Sequence, residues 1–92
     1  MTTNITQGNT AQFIVEFLDS SGNLTIPSSG TLTITYPLTT TTTTSTTISL
    51  SQSGSFFTGS WGSSVSAIGL ADWSVTAPGI TAAQTGQLRI ID

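Results

Sequence analysis

Apolar side chains in this chain recur at every second residue, and no stretch repeats them at helical spacing. That period limits the chain to half-buried strands, because successive side chains of a strand point to opposite faces. From Thr31 to Tyr36, Leu32, Ile34 and Tyr36 fall on one face and Thr31, Thr33 and Thr35 on the other. From Thr10 to Leu18, Phe13, Val15 and Phe17 oppose Gln12, Ile14 and Glu16. Shorter alternations follow at Ile48 and Leu50, at Phe57 and Trp61, at Ala71, Trp73 and Val75, and at Leu88 and Ile90. A short strand around Thr3 to Thr6 completes the set. Turn signals separate these segments: Asp19-Ser20-Ser21-Gly22-Asn23 is one, and Pro27 and Pro37 bracket the strand at Thr31. Short strands with turn signals roughly every ten residues predict a two-sheet antiparallel sandwich of about seven strands. The expected core is Phe13, Val15, Phe17, Leu32, Ile34, Tyr36, Trp61, Trp73, Val75 and Leu88.

Ninety-two residues make one domain, expected to span 1–92. No disulfide or thiolate site can staple it, because there is no cysteine. Histidine is also absent, which removes the commonest general base and metal ligand. Arg89 is the only Lys or Arg, and the acids are Glu16, Asp19, Asp72 and Asp92. One arginine cannot neutralise a row of phosphates or hold a membrane surface, so neither nucleic acid nor membrane is an expected partner. No apolar run approaches the roughly 20 residues of a membrane helix. Residues 1–12 lack the basic start and apolar stretch of a secretory signal, so a chain starting naturally at Met1 is expected to be made in the cytoplasm and not to leave by the general secretory route. Serine and threonine supply the polarity that charge does not.

No arrangement of reactive side chains stands out. Nucleophilic catalysis by Ser or Thr needs an activating base, and there is neither His nor Lys. The acids are scattered over a turn and separate strands, and no glycine-rich phosphate cradle is present. The chain is therefore read as a non-enzyme without cofactor or metal. The Asp19 to Asn23 segment faintly resembles a cation loop, but a single carboxylate favours the turn reading. Asn4-Ile5-Thr6 and Asn23-Leu24-Thr25 match the glycosylation sequon, a pattern that arises by chance in a Thr-rich chain. Thr31, Thr33 and Thr35 form a hydroxyl ladder on one strand, of the kind that ice-binding proteins repeat over many strands; here one strand carries it. Trp61 and Trp73 read as core residues, with a sugar-stacking platform as the lesser alternative.

The low-complexity run at residues 39–47 contains only Thr and Ser. β-Branched threonine favours extended backbone, and a run without apolar members adds little to a core. It reads as a solvated loop or an edge strand, and an unpaired extended edge is a template for strand addition. Thr40, Thr41, Thr42, Thr43 and Thr44 are therefore the candidate subunit contact.

The stretch T-x-x-x-G-N-T-A-Q-F-I-V-E-F-L-D-S-S-G-N-L, from Thr3 to Leu24, resembles the opening of small immunoglobulin-like modules among tailed-bacteriophage virion proteins. G-S-F-F-T-G-S-W at Gly54 to Trp61 and T-G-Q-L-R-I-I at Thr85 to Ile91 continue the likeness. The long threonine run departs from the pattern. The resemblance implies an immunoglobulin-like sandwich and carries over no catalytic residue. It implies a structural virion protein, assembled in the host cytoplasm, that decorates a capsid or serves as a head or tail accessory. The expected partners are capsid or tail subunits and copies of the chain itself. The alternative is a bacterial surface or adhesion module that binds carbohydrate or protein.

Overall fold

The computed structural model describes residues 2–80 and 84–92. The strands are β1 (Thr2–Thr6), β2 (Thr10–Val15), β3 (Phe17–Leu18), β4 (Leu24–Thr25), β5 (Thr31–Pro37), β6 (Thr43–Ser49), β7 (Ser51–Ser53), β8 (Phe56–Gly62), β9 (Gly69–Thr76) and β10 (Gln84–Ile91). A single 3-10 turn, Ser63–Val65, is the only helical element among the described residues. Seven strands have five or more residues and carry the architecture; β3, β4 and β7 are short additions. One main sheet has the order β1-β10-β9-β5-β6, the other β2-β8-β7, and β3 pairs with β4 apart from both.

The all-β expectation holds, with two corrections. The long strand expected from Thr10 to Leu18 breaks at Glu16: its carbonyl accepts the side-chain amide of Gln84 (2.6 Å), and the chain beyond leaves β8 to pair with β4. The sheets are also not purely antiparallel. β1 runs parallel to β10, with Thr3 beside Leu88 and Ile5 beside Ile90. The turn at Gln7–Asn9, with Gly8 at φ 95°, carries the chain from one sheet to the other, so β1 and β2 are not hairpin partners. β1 instead covers the edge of β10, and Gln7 N–H extends that pairing to the Ile91 carbonyl (2.8 Å).

The core lies between the two main sheets. Leu32, Ile34, Ala71, Val75 and Ile90 of the larger sheet are fully buried, and Phe57 and Trp61 of β8 face them. Aromatic rings meet across the interior: Phe13 with Trp73 at 5.5 Å, Phe17 with Phe57 at 5.4 Å, and Tyr36 with Trp61 at 5.3 Å between centroids. The first two pairs are edge-on, which suits the ring quadrupole, and the third is tilted at 46°. Nine of the ten expected core residues are buried; Trp73 is only half-buried, its indole lying over Gly86 of β10 and lining a groove between β1 and β2. Leu50, Phe57, Ala71 and Ile90 join the core.

Two buried polar residues, Ser63 and Ser66, hold one end of the sandwich. Ser63 Oγ donates to the Asn9 carbonyl (2.7 Å) and accepts from Gly8 N–H (3.0 Å), which secures the crossover turn. Ser66 Oγ lies 3.2 Å from the Pro37 carbonyl, which also accepts Ala67 N–H at 2.8 Å. Proline has no N–H to continue the ladder, and the β5–β9 pairing stops two residues earlier, at Thr35 with Asp72.

Candidate functional site

The threonine run divides into a turn and a strand. Thr39 Oγ1 accepts the backbone N–H of Thr41 (3.2 Å) and Thr42 (3.1 Å), and Leu38 N–H donates to the Thr42 carbonyl (2.9 Å). A hydroxyl that bonds backbone two and three residues ahead stabilises a turn without glycine. Thr40, Thr41 and Thr42 lie exposed on this turn. Thr43 and Thr44 begin β6, opposite Pro37 and Tyr36. Of the five candidate contact residues, three thus belong to the turn and two to an edge strand.

The direction of each backbone group of β6 follows from the register. Leu50 N–H bonds to the Gly30 carbonyl (2.9 Å) at one end and Leu38 N–H to the Thr42 carbonyl at the other. Hydrogen-bonded pairs alternate in an antiparallel ladder. The phase therefore turns Thr44, Thr46 and Ile48 toward Tyr36, Ile34 and Leu32 of β5. The intervening residues, Thr43, Ser45, Thr47 and Ser49, direct their N–H and C=O groups away from the sheet, and all four are exposed. This edge has no charge, proline or glycine. Natural edges are usually blunted by one of these. On the core side, Leu50 and Ile48 close over Gly59, where an added Cβ would lie 2.5 Å from Leu50 Cδ2.

The hydroxyl ladder is wider than one strand. On the outer face, Thr33 has Thr47 on one side and Ser74 on the other, with Thr85 beyond; Thr31 lies between Ser49 and Thr76. Thr35 lies between Ser45 and Asp72, with hydroxyl oxygens of Thr35 and Ser45 2.8 Å apart. The face is nearly free of charge: Asp72 receives the Gln87 amide (3.2 Å), and Arg89 sits opposite Leu70 near one end. A shallow trough of about 430 Å³ runs over Thr33, Thr35, Ser74 and Thr85. A second groove of about 410 Å³ opens between β1 and β2, with the half-buried Trp73 at its base.

Asp19 serves its turn, since Oδ1 accepts N–H from both Ser21 and Asn23 (2.9 Å each) and Gly22 takes φ 85°. No group of three or more metal-ligating side chains assembles among the described residues. Ser45 and Thr47 belong to the run read from sequence as a loop or edge strand, outside the candidate contact Thr40 to Thr44, and Ser49 lies beyond that run. The sequence of residues 43–49 shows no alternation of its own, and the edge position depends on which strands flank it.

Comparison with protein-family models, with curated proteins and with solved structures finds no match.

Proposed function

We propose that this chain is an immunoglobulin-like module acting as a non-enzymatic structural virion protein, a capsid decoration or head or tail accessory that docks on a repeated lattice. The observation that carries this reading is the combination of a neutral hydroxyl face over the five-stranded sheet with an unblunted edge beside it. Interface centres are depleted in charge, and an open edge is tolerable where a neighbour covers it. The order β1-β10-β9-β5-β6 against β2-β8-β7 supports the immunoglobulin-like part, with the first strand set beside the last instead of beside β2. The candidate contact Thr40 to Thr44 joins this face at the β5–β6 turn. The test is to purify virions on a density gradient and quantify the chain by mass spectrometry. Several copies per particle, retained through washing, are expected; a chain found only outside particles overturns the reading.

An adhesion module is the second reading. The trough over Thr33, Thr35, Ser74 and Thr85 favours it, because hydroxyls with Asp72 and Gln87 at its rim offer both donors and acceptors to a glycan. A glycan array with the purified chain tests it, and no specific hit removes it.

A further inference from the structure

We infer that β6 is a self-pairing edge: two copies of this chain join antiparallel through Thr43–Thr47 about a two-fold axis at Ser45. Residues 43–47 read Thr-Thr-Ser-Thr-Thr, the same in both directions. An antiparallel alignment centred on Ser45 therefore places Ser45 against Ser45, Thr43 against Thr47 and Thr44 against Thr46. Every cross-strand pair then joins identical side-chain types, and hydroxyl pairs of this kind favour pairing.

The backbone phase agrees with the same axis. Within this segment, Thr43, Ser45 and Thr47 are the residues whose N–H and C=O groups point away from β5. In the two-fold arrangement each of these groups meets a partner: Ser45 exchanges both bonds with its counterpart, and Thr43 does so with Thr47 in each direction. A same-patch contact of this kind closes on itself and ends assembly at two copies. No charge lies in the strand, so copies do not repel one another at the seam. The product is a ten-stranded sheet whose outer side continues the hydroxyl face of each copy.

A single-edge contact is small beside the roughly 1,200 Å² of a stable interface. The dimer is accordingly concentration-dependent, and it forms most readily where copies are held close together. Self-pairing belongs to the isolated chain, so its test is independent of the virion reading.

The chain has no native cysteine, which makes a thiol at one position a specific reporter. Facing Cα atoms in a hydrogen-bonded pair are about 5.5 Å apart, within reach of a disulfide or a short bis-thiol linker. Ser45→Cys, Thr43→Cys and Thr47→Cys are each coupled at the same protein concentration, after circular dichroism shows each variant folded. Ser45→Cys is expected to couple roughly tenfold faster than either other variant alone, reflecting its raised effective concentration. Mixed Thr43→Cys and Thr47→Cys chains are expected to couple to each other. Equal coupling in all three variants, or none, overturns the inference. So does fast Ser45→Cys coupling that persists when Thr43 and Thr47 are both replaced by Lys, since like charges set opposite each other in the seam would separate the copies.

Discussion

Trp61 combines the largest aromatic surface in the sandwich interior with an unmet polar requirement. The residue is 96% buried with its ring 5.3 Å from that of Tyr36, while its Nε1 has no hydrogen-bond partner among the described residues. An orphaned buried donor costs about 1–3 kcal/mol. Trp61→Ala is expected to lose about 3–5 kcal/mol through the cavity it leaves. Trp61→Phe keeps most of the packing and removes the orphan, so a net change within about 1.5 kcal/mol is expected. Urea unfolding of both variants checks this, and equal losses would show that a phenyl ring recovers none of the indole's packing. Gly86 is the opposite case, a residue required to be small. A Cβ there would come within 2.5 Å of the Trp73 indole. Gly86→Ala should cost about 1–3 kcal/mol by overpacking, and the same substitution beside a Trp73→Leu change should cost much less. Ser63 and Ser66 were invisible as core residues, because a buried serine is distinguished by backbone carbonyls brought in from distant segments.

At the scale of the element, β6 shows how one strand has two different backbones. Thr46 N–H is committed to β5, whereas Thr47 N–H faces outward. Proline removes an N–H and is tolerated only where none is used. Thr46→Pro removes a ladder bond and leaves the Ile34 carbonyl unpaired, an expected cost of about 1–3 kcal/mol, and Thr47→Pro costs far less. Similar losses at both positions, measured by denaturant unfolding, would show the phase assigned to this strand to be wrong. The run from Thr39 to Thr47 was legible as extended and polar. Its division at Thr42 was not, because Thr39, whose hydroxyl closes the turn, begins six consecutive threonines that composition does not tell apart. The ladder at Thr31, Thr33 and Thr35 was also legible, but not its width: Ser45, Thr47, Ser74 and Thr85 come alongside only through pairing.

For the whole molecule, cohesion comes from apolar burial between the sheets and from backbone ladders, with almost no charge to contribute. The net charge is −3 with one cation. Salt screens exposed charges but has little effect on buried apolar contacts. The melting temperature is therefore expected to shift by less than about 2 °C when sodium chloride is raised from low to moderate concentration. Differential scanning calorimetry checks this, and a large shift would reveal an electrostatic contribution concealed in the short charge inventory. The dimensions, 41 × 21 × 20 Å, describe a long, narrow body. A narrow sandwich leaves much apolar surface outside, and Leu38, Val65, Ile68 and Leu70 are each about half exposed around the end where Ser63 and Ser66 are buried.

The sequence by itself determined the all-β class, the approximate strand positions and most of the large core residues, Leu50, Phe57 and Ile90 excepted. These follow from local rules: a period of two, turn residues at the breaks, and too little charge for the chemistries that need it. Only the tertiary structure decided that β1 lies parallel to β10, that Trp73 is left half-covered, that hydroxyls from four strands share one face, and that β6 ends its sheet. Alternation states which side of a strand faces the core, but it carries no information about the strand's neighbours. Neighbours are chosen by contacts between residues far apart in sequence, and the edge at Ser45 exists because no other strand among the described residues takes the place beside it.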